Sequence, residues 1–248
     1  MNGQEEVRIG TVITIPGFAY GRQGAEHFFG TRHGWPERNP SMRAVVSVRQ
    51  VHGTEVLVID WPVRGRSTVE GGWDALVTDQ PGVLLTIRTA DCVPVLIHDP
   101  VRRVVAAVHV GWRGALGGII PKTIAVMGQR FGSKPASLRV GIGPAAGACC
   151  YEVDEPVLSR LRETSTAWPR LVRETQAGKA LLDLRGLVQS QTQAAGVRED
   201  AVYSVGLCTI CQPNLFHSYR REGAARGTMV NGIMLVPLAN QGRAGNSL

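Results

Sequence analysis

Apolar residues in this chain fall into short runs punctuated by turn residues. Val45–Arg49, Glu55–Asp60, Ala75–Thr78, Val83–Arg88, Val93–His98, Val104–Val110 and Leu138–Ile142 are rich in Val and Ile and bounded by Gly, Pro or Asp. That pattern predicts strands. VVAAVHV (Val104–Val110) is nearly continuous in apolar residues, as a strand buried on both faces should be. Helical composition covers Gly114–Phe131, with Pro121 starting or kinking a segment, and Val157–Arg162. Lys179–Ala195 is also predicted helical, with Leu181, Leu184, Val188 and Thr192 at helical spacing and Gly196 as a stop. Late strands are expected at Val202–Val205 and Val230–Val236, and the polar tail after Pro237 is expected to fray. The mixture predicts one α/β (α+β) domain spanning residues 1–248, with a large mixed buried sheet flanked by helices.

Composition narrows the function classes. The chain has 27 basic and 20 acidic side chains, a net charge of +7, yet only Lys122, Lys134 and Lys179 are lysines and the arginines are scattered. No Lys/Arg run exceeds two residues, so the charge lacks the clustering of a nucleic-acid footprint and fits a small anionic substrate better. The start, MNGQEEVRIG, is not a signal peptide, and no uncharged apolar stretch is long enough to span a membrane. The five cysteines are an odd set with two adjacent members, unlike a secreted disulfide framework. A reducing, cytoplasmic location is the expectation.

Chemistry concentrates between Gln50 and Gly114. His52 precedes Gly53, Cys92 lies near Pro94, and His109 lies near Gly111, each at or near a strand end beside a turn. Two histidines and a thiolate form a three-ligand set for zinc with a fourth position open, the pattern of catalytic zinc. A buried cysteine and a turn histidine have plain structural readings too, and these ligands lack a compact signature. Asp91, beside Cys92, is a candidate general acid/base, a partner orienting a ligating histidine, or a cap on backbone donors of its own turn. Arg113 and Gly114 open the helix after the His109 strand, where helix N–H groups favour phosphate. Arg32, Arg220, Arg221 and Arg226 are further phosphate candidates, or surface residues. Cys208 and Cys211 form a CxxC with no second pair, a weak structural-zinc signal, and Cys149 and Cys150 are expected to pack. Of the remaining histidines, His33 and His217 are the ones to test for proximity to the site, with His27 and His98 read as structural.

The strings QVHGTEV, TADCVPVLIHDP, AAVHVGWRGA, GIGPAAGACCYEV, LDLRGL and LFHSYRREG, in this order between Phe28 and Arg226, closely resemble the YfiH/laccase-domain family. The resemblance implies a fold shared with deamidating cysteine hydrolases. It implies a zinc-dependent purine nucleoside phosphorylase acting on adenosine, inosine and methylthioadenosine, with adenosine deaminase activity besides. By position it assigns the metal to His52, Cys92 and His109, and it favours Arg113 and the Ser218–Arg221 string for substrate. Three departures bear on substrate contacts. The segment between Trp35 and Gln50 is short, His217 interrupts the usual FFSYRR, and Asp154 replaces a glycine.

Competing chemistries use the same residues. A cysteine hydrolase or amidase would employ Cys92 as nucleophile and His109 as base, with no necessary role for His52. A copper polyphenol oxidase needs more copper-binding histidines than six scattered ones offer, although copper can outcompete zinc for a His2Cys set. A scaffold that keeps zinc for structure would close its site with a fourth ligand. The expected partners are a purine nucleoside and phosphate, without nucleic acid or membrane, in a monomer or homodimer.

Overall fold

The computed structural model describes residues 8–19, 24–36, 39–225 and 227–238. Arg226 and most of the tail after Pro237 lie outside them. The strand Val104–Val110 shows why the fold is layered. Its alternate side chains Val104, Ala106, Val108 and Val110 belong to one apolar cluster, and Val105 and Ala107 belong to another. A strand with apolar residues on both faces must be covered twice. Here helices cover one face and a second sheet covers the other.

The covered sheet has six strands in the order Val202–Ser204, Arg139–Ile142, Val93–Asp99, Val104–Val110, Ala75–Thr78 and Val56–Val58. Its two outer pairings are parallel and the rest antiparallel. The helices Ile119–Phe131, Glu155–Thr164 and Leu184–Ala194 bury Ile120, Ile124, Met127, Val157, Leu161, Leu187 and Val188 against it. The second sheet has seven strands, in the order Arg8–Ile9, Val12–Thr14, Ala25–Gly30, Met229–Leu235, Val83–Thr89, Ala44–Val48 and Gly65–Val69. Phe29, Val46, Leu85, Ile87 and Ile233 of this sheet meet Leu76, Leu96, Val105 and Ala107 of the first. Each such fully buried aliphatic side chain contributes about 1.5–3 kcal/mol relative to exposure.

The α/β expectation therefore holds, with the expected sheet resolved into two large mixed ones. Two helix expectations change. The Gly114–Phe131 segment is divided at Gly117–Gly118 into Trp112–Leu116 and Ile119–Phe131, with Gly118 in the left-handed region and Pro121 in the first turn of the longer helix. Lys179–Leu182 is a strand, not the start of a helix. It lies between Glu152–Asp154 and Val172–Gln176 in a small third sheet, and Asp183 then caps the helix by accepting from the Gly186 amide at 2.9 Å. Among the described residues, no helix is long and apolar enough to cross a membrane.

The chain passes from the seven-stranded to the six-stranded sheet at three places that matter below. These are Arg49–Glu55, Glu70–Asp74 and Ala90–Cys92. All three crossovers reach the same end of the central strands.

Candidate metal centre and its cavity

His52, Cys92 and Asp74 come from those three crossovers, and His109 is the penultimate residue of Val104–Val110. Asp74 is the organising residue. It is fully buried (0% exposed), and its carboxylate accepts from the amides of Val51, His52 and Gly53 at 3.2, 3.0 and 2.7 Å. Three amides converging on one carboxylate force a tight turn. His52 takes up the strain, at φ 62° in the left-handed region that side chains other than glycine rarely enter. The same carboxylate lies 2.7 Å from His109 Nδ1. That bond fixes the ring and aims Nε2 at the site.

The ligand atoms of His52, Cys92 and His109 lie within 4.8 Å of one another. The two imidazole rings are 4.7 Å apart and nearly perpendicular, at 80°. Zinc bonds of about 2.0–2.3 Å in a tetrahedron separate donors by about 3.3–3.8 Å, inside that 4.8 Å limit. Gly111 is part of the fit. A methyl group there would sit 2.9 Å from His52 Cδ2 and 3.3 Å from Cys92 Sγ.

The electrostatics favour a Cys92 thiolate beside a protonated His109, whose Nε2 proton a bound metal ion would displace. Burial pushes the Cys92 thiol up, but hydrogen bonds from His109 and His52 outweigh it and bring the group down to about 6. Burial opposes protonation of His109, yet Asp74 and Cys92 raise it to about 9. Asp74 stays below the usual carboxylate range despite burial, because His109 and the turn amides stabilise its charge. The thiolate, the form that binds metal, is thus favoured at neutral pH. The donor set, its orienting carboxylate and its spacing all fit a resident transition-metal ion.

His52 and Cys92 open onto a cavity of about 400 Å³ also lined by Asp91, Trp112, Arg113, Tyr151, Tyr219 and Arg220. Arg113 stacks on Trp112 at 4.4 Å, and Arg220 stacks on Tyr151 at 5.0 Å while donating to the Glu152 carbonyl at 2.8 Å. Both guanidinium groups are thereby held at the wall. Burial raises the Tyr151 hydroxyl, so it stays a neutral donor.

Other candidates are used differently. Asp91 lines the cavity, but its carboxylate accepts from Thr209 Oγ1 at 2.6 Å, Ser218 Oγ at 3.0 Å and the Arg220 amide at 2.7 Å. At φ 89° it too is strained. Its geometry is that of a clip joining the Cys92 turn to the 209–220 segment. Arg221 does not line the cavity. Its guanidinium donates to the carbonyls of Thr209, Ile210 and Phe216 at 2.7, 2.8 and 2.6 Å and to Glu222 at 2.5 Å, leaving it committed to the protein. Arg32 is likewise absent from the wall, donating to the Pro213 carbonyl and lying 4.0 Å from Glu222. The helix opened by Arg113 is only Trp112–Leu116, about one turn. His33 bonds the Asn214 carbonyl at 2.8 Å and His217 lies 3.5 Å from Glu222, so neither lines the cavity.

Asp74, Trp112 and Tyr151 escaped the sequence reading, while Tyr219 lies inside the Ser218–Arg221 string it favours. The signal for Asp74 is an acid directly before the apolar strand ALVT, at a position that alternation would otherwise bury uncompensated.

Residues 36–236 match the family model described as multi-copper polyphenol oxidoreductase laccase. A purine nucleoside phosphorylase, YlmD, of Geobacillus stearothermophilus is 38% identical over 191 residues, covering 75% of this chain and 70% of its own. A purine nucleoside phosphorylase of Corynebacterium glutamicum is 41% identical over 179 residues, covering 72% of this chain and 70% of its own. The crystal structure of YlmD from Geobacillus stearothermophilus superposes with a TM-score of 0.79 at 30% identity, over 94% of this chain and 98% of that one. The Bacillus licheniformis protein YfiH superposes with a TM-score of 0.81 at 26% identity, over 92% of this chain and 98% of that one. A family match across most of the chain, agreeing in fold with both structures, establishes that this protein belongs to the laccase-like YfiH family.

Proposed function

We propose that this chain is a zinc-dependent purine nucleoside phosphorylase acting on adenosine, inosine and methylthioadenosine, with adenosine deamination as a second activity. The observation that carries the reading is the convergence of His52, Cys92 and His109 over Asp74, at the floor of a cavity with two fixed arginines and an aromatic wall. The relatives named purine nucleoside phosphorylase support it. A zinc ion held by His52, Cys92 and His109 supplies a Lewis-acid charge and lowers the pKa of water in its reach.

The chain's own groups do the rest. Arg113 and Arg220 bind phosphate and hold it for attack on the sugar C1′, where the bond to the purine nitrogen breaks. Trp112, Tyr151 and Tyr219 offer ring surface and hydroxyls to the nucleoside. Asp91 acts as a positioning residue, since all three of its hydrogen bonds go to the wall-bearing segment. Phosphate selection falls to Arg113 and Arg220, while Arg32 and Arg221 shape the loops behind them.

A second reading draws on one observation. Cys92, His109 and Asp74 are joined in the order of a cysteine-hydrolase triad, thiol to imidazole to carboxylate. His52 separates the two, being required in a metal site and dispensable in a triad. The test incubates zinc-loaded protein with a nucleoside panel, with and without phosphate. Phosphate-dependent release of free base is expected, and both the zinc of this site and turnover should be lost in Cys92→Ala and His52→Ala. Undiminished turnover in Cys92→Ala protein that has lost the zinc of this site refutes the zinc reading. Amidase activity that survives in His52→Ala favours the triad.

A further inference from the structure

Outside Cys92, the sequence predicts that Cys149 and Cys150 pack and offers Cys208 and Cys211 as a CxxC with no second pair. The structure places those four together. Cys149, Cys150, Cys208 and Cys211 have their sulfurs within 4.8 Å of one another, with Cys150 to Cys211 at 3.2 Å and Cys149 to Cys211 at 3.5 Å. None is disulfide-bonded. Cys149 and Cys211 are exposed and only Cys208 is buried, so packing does not explain the cluster. A tetrahedral thiolate site with Zn–S bonds of about 2.3 Å has sulfur–sulfur edges of about 3.8 Å, inside the range found here.

The backbone around the cluster is arranged for sulfur. The amide of Gly147 donates to Cys208 Sγ at 3.2 Å, and the amides of Ile210 and Cys211 hydrogen-bond to the same sulfur. Several N–H groups on one sulfur favour its thiolate form, which a metal ion requires. Gly147 has no room for a side chain, since a methyl group there would meet Cys149 Sγ at 3.2 Å and Cys208 Sγ at 3.3 Å. Two loops are thereby brought edge to edge. Thr209 N donates to the Ala145 carbonyl at 3.0 Å, and Ala145 bridges Cys208 in parallel.

We propose that Cys149, Cys150, Cys208 and Cys211 form a second metal centre, a four-thiolate structural zinc site separate from the His52–Cys92–His109 set. Its adjacent pair comes from one loop and its CxxC pair from another. The ion ties the 145–151 loop to the 207–211 loop. Those loops carry Tyr151, which lines the cavity, and the Thr209 hydroxyl that clips the wall residue Asp91. Four ligands with no open position make the centre structural rather than catalytic.

The test uses the full chain, expressed with zinc and purified under reducing, anaerobic conditions, with zinc counted by mass spectrometry. The wild type should hold two zinc ions per chain. A His52→Ala/Cys92→Ala protein should keep one, and adding Cys208→Ser to it should remove that one. The double variant reconstituted with cobalt should give the intense visible bands of tetrahedral cobalt–thiolate, absent once Cys208 is replaced. Should the Cys208 variant fail to fold, native wild type decides the matter by thiol titration. All five thiols, the four here and Cys92, should be protected until a chelator strips the two ions. A His52→Ala/Cys92→Ala protein that folds but binds no zinc overturns the proposal. So do thiols that react equally fast with and without chelator, and so does a disulfide among the four in the reduced preparation. Loss of nucleoside turnover does not enter the readout, so the second centre and the proposed activity stand or fall separately.

Discussion

Replacing Asp74 by Asn changes one oxygen for one nitrogen at the base of the metal centre, and the consequences can be worked through. The carboxylate accepts four hydrogen bonds, from His109 Nδ1 and from the amides of Val51, His52 and Gly53. An asparagine has one carbonyl oxygen. If that oxygen faces His109 and His52, its NH2 group points at the amides of Val51 and Gly53, donor against donor. If the amide is turned round, His109 Nδ1 and the His52 amide meet the NH2 instead. Either way about two donors, at least partly buried, lose their acceptor, at about 1–3 kcal/mol each. We expect a stability loss of about 3–5 kcal/mol, within the usual margin of a folded domain. At this chain length that is a fall in Tm of roughly 6–20 °C. Zinc affinity at the His52–Cys92–His109 set should drop about 10–100-fold, because His109 loses the partner that orients its ring. The assay is a competition between protein and a chromogenic zinc chelator, beside a thermal melt, with the four outlying cysteines saturated or replaced in both proteins. A folded Asp74→Asn protein whose zinc affinity stays within threefold of wild type would refute the view that Asp74 builds the centre.

The remaining predictions use other parts of the structure. Gly111→Ala should lower zinc affinity while leaving Tm within a few degrees, read by the same competition and melt, because its methyl group collides with His52 and Cys92 rather than with the core. Arg113→Ala and Arg220→Ala should raise KM for phosphate with little change in Tm. Arg221→Ala should lower Tm by stripping the donors that hold Thr209, Ile210 and Phe216, so steady-state kinetics and calorimetry separate the two groups. Burial lowers His27 and His98 from 6.5 to about 4, so both are neutral in the fold and the unfolded chain gains protons first as pH falls. Their stabilising effect is complete above about pH 6.5 and declines toward pH 4, by about 1–2 kcal/mol each by pH 5, with the partly exposed His27 giving the smaller share. Melts of wild type and His27→Gln between pH 7 and 5 check this, and equal acid slopes would contradict it for His27.

The sheet was legible because burial leaves a direct trace in residue type. Val104–Val110 and Ala75–Thr78 begin and end where the apolar runs do. Lys179–Leu182 misled because leucines two and three residues apart suit a strand edge and a helix start alike, and the partners that settle it lie elsewhere in the chain. The metal ligands were legible as strand-end residues beside turns. Asp74 was not, since what identifies it is three amides from the Arg49–Glu55 crossover and a ring from the strand Val104–Val110. The cysteine cluster was legible only in part, as a CxxC lacking a second pair. A CxxC and an adjacent pair some 60 residues apart form one cluster only after the parallel bridge between Ala145 and Cys208 has formed.

The placement of the ligands on the passages between the two sheets makes the centre a sensor of assembly. His52, Cys92 and Asp74 each sit where the chain leaves one sheet for the other, so their separations depend on the docking of both layers. A chain with either sheet formed alone has the residues but not the pocket for an ion. On the proposed metal reading, uptake of the ion and closure of the interlayer core would be linked, each stabilising the other by mass action. Mutations deep between the sheets, far from any ligand, should register first as a weakened hold on the ion.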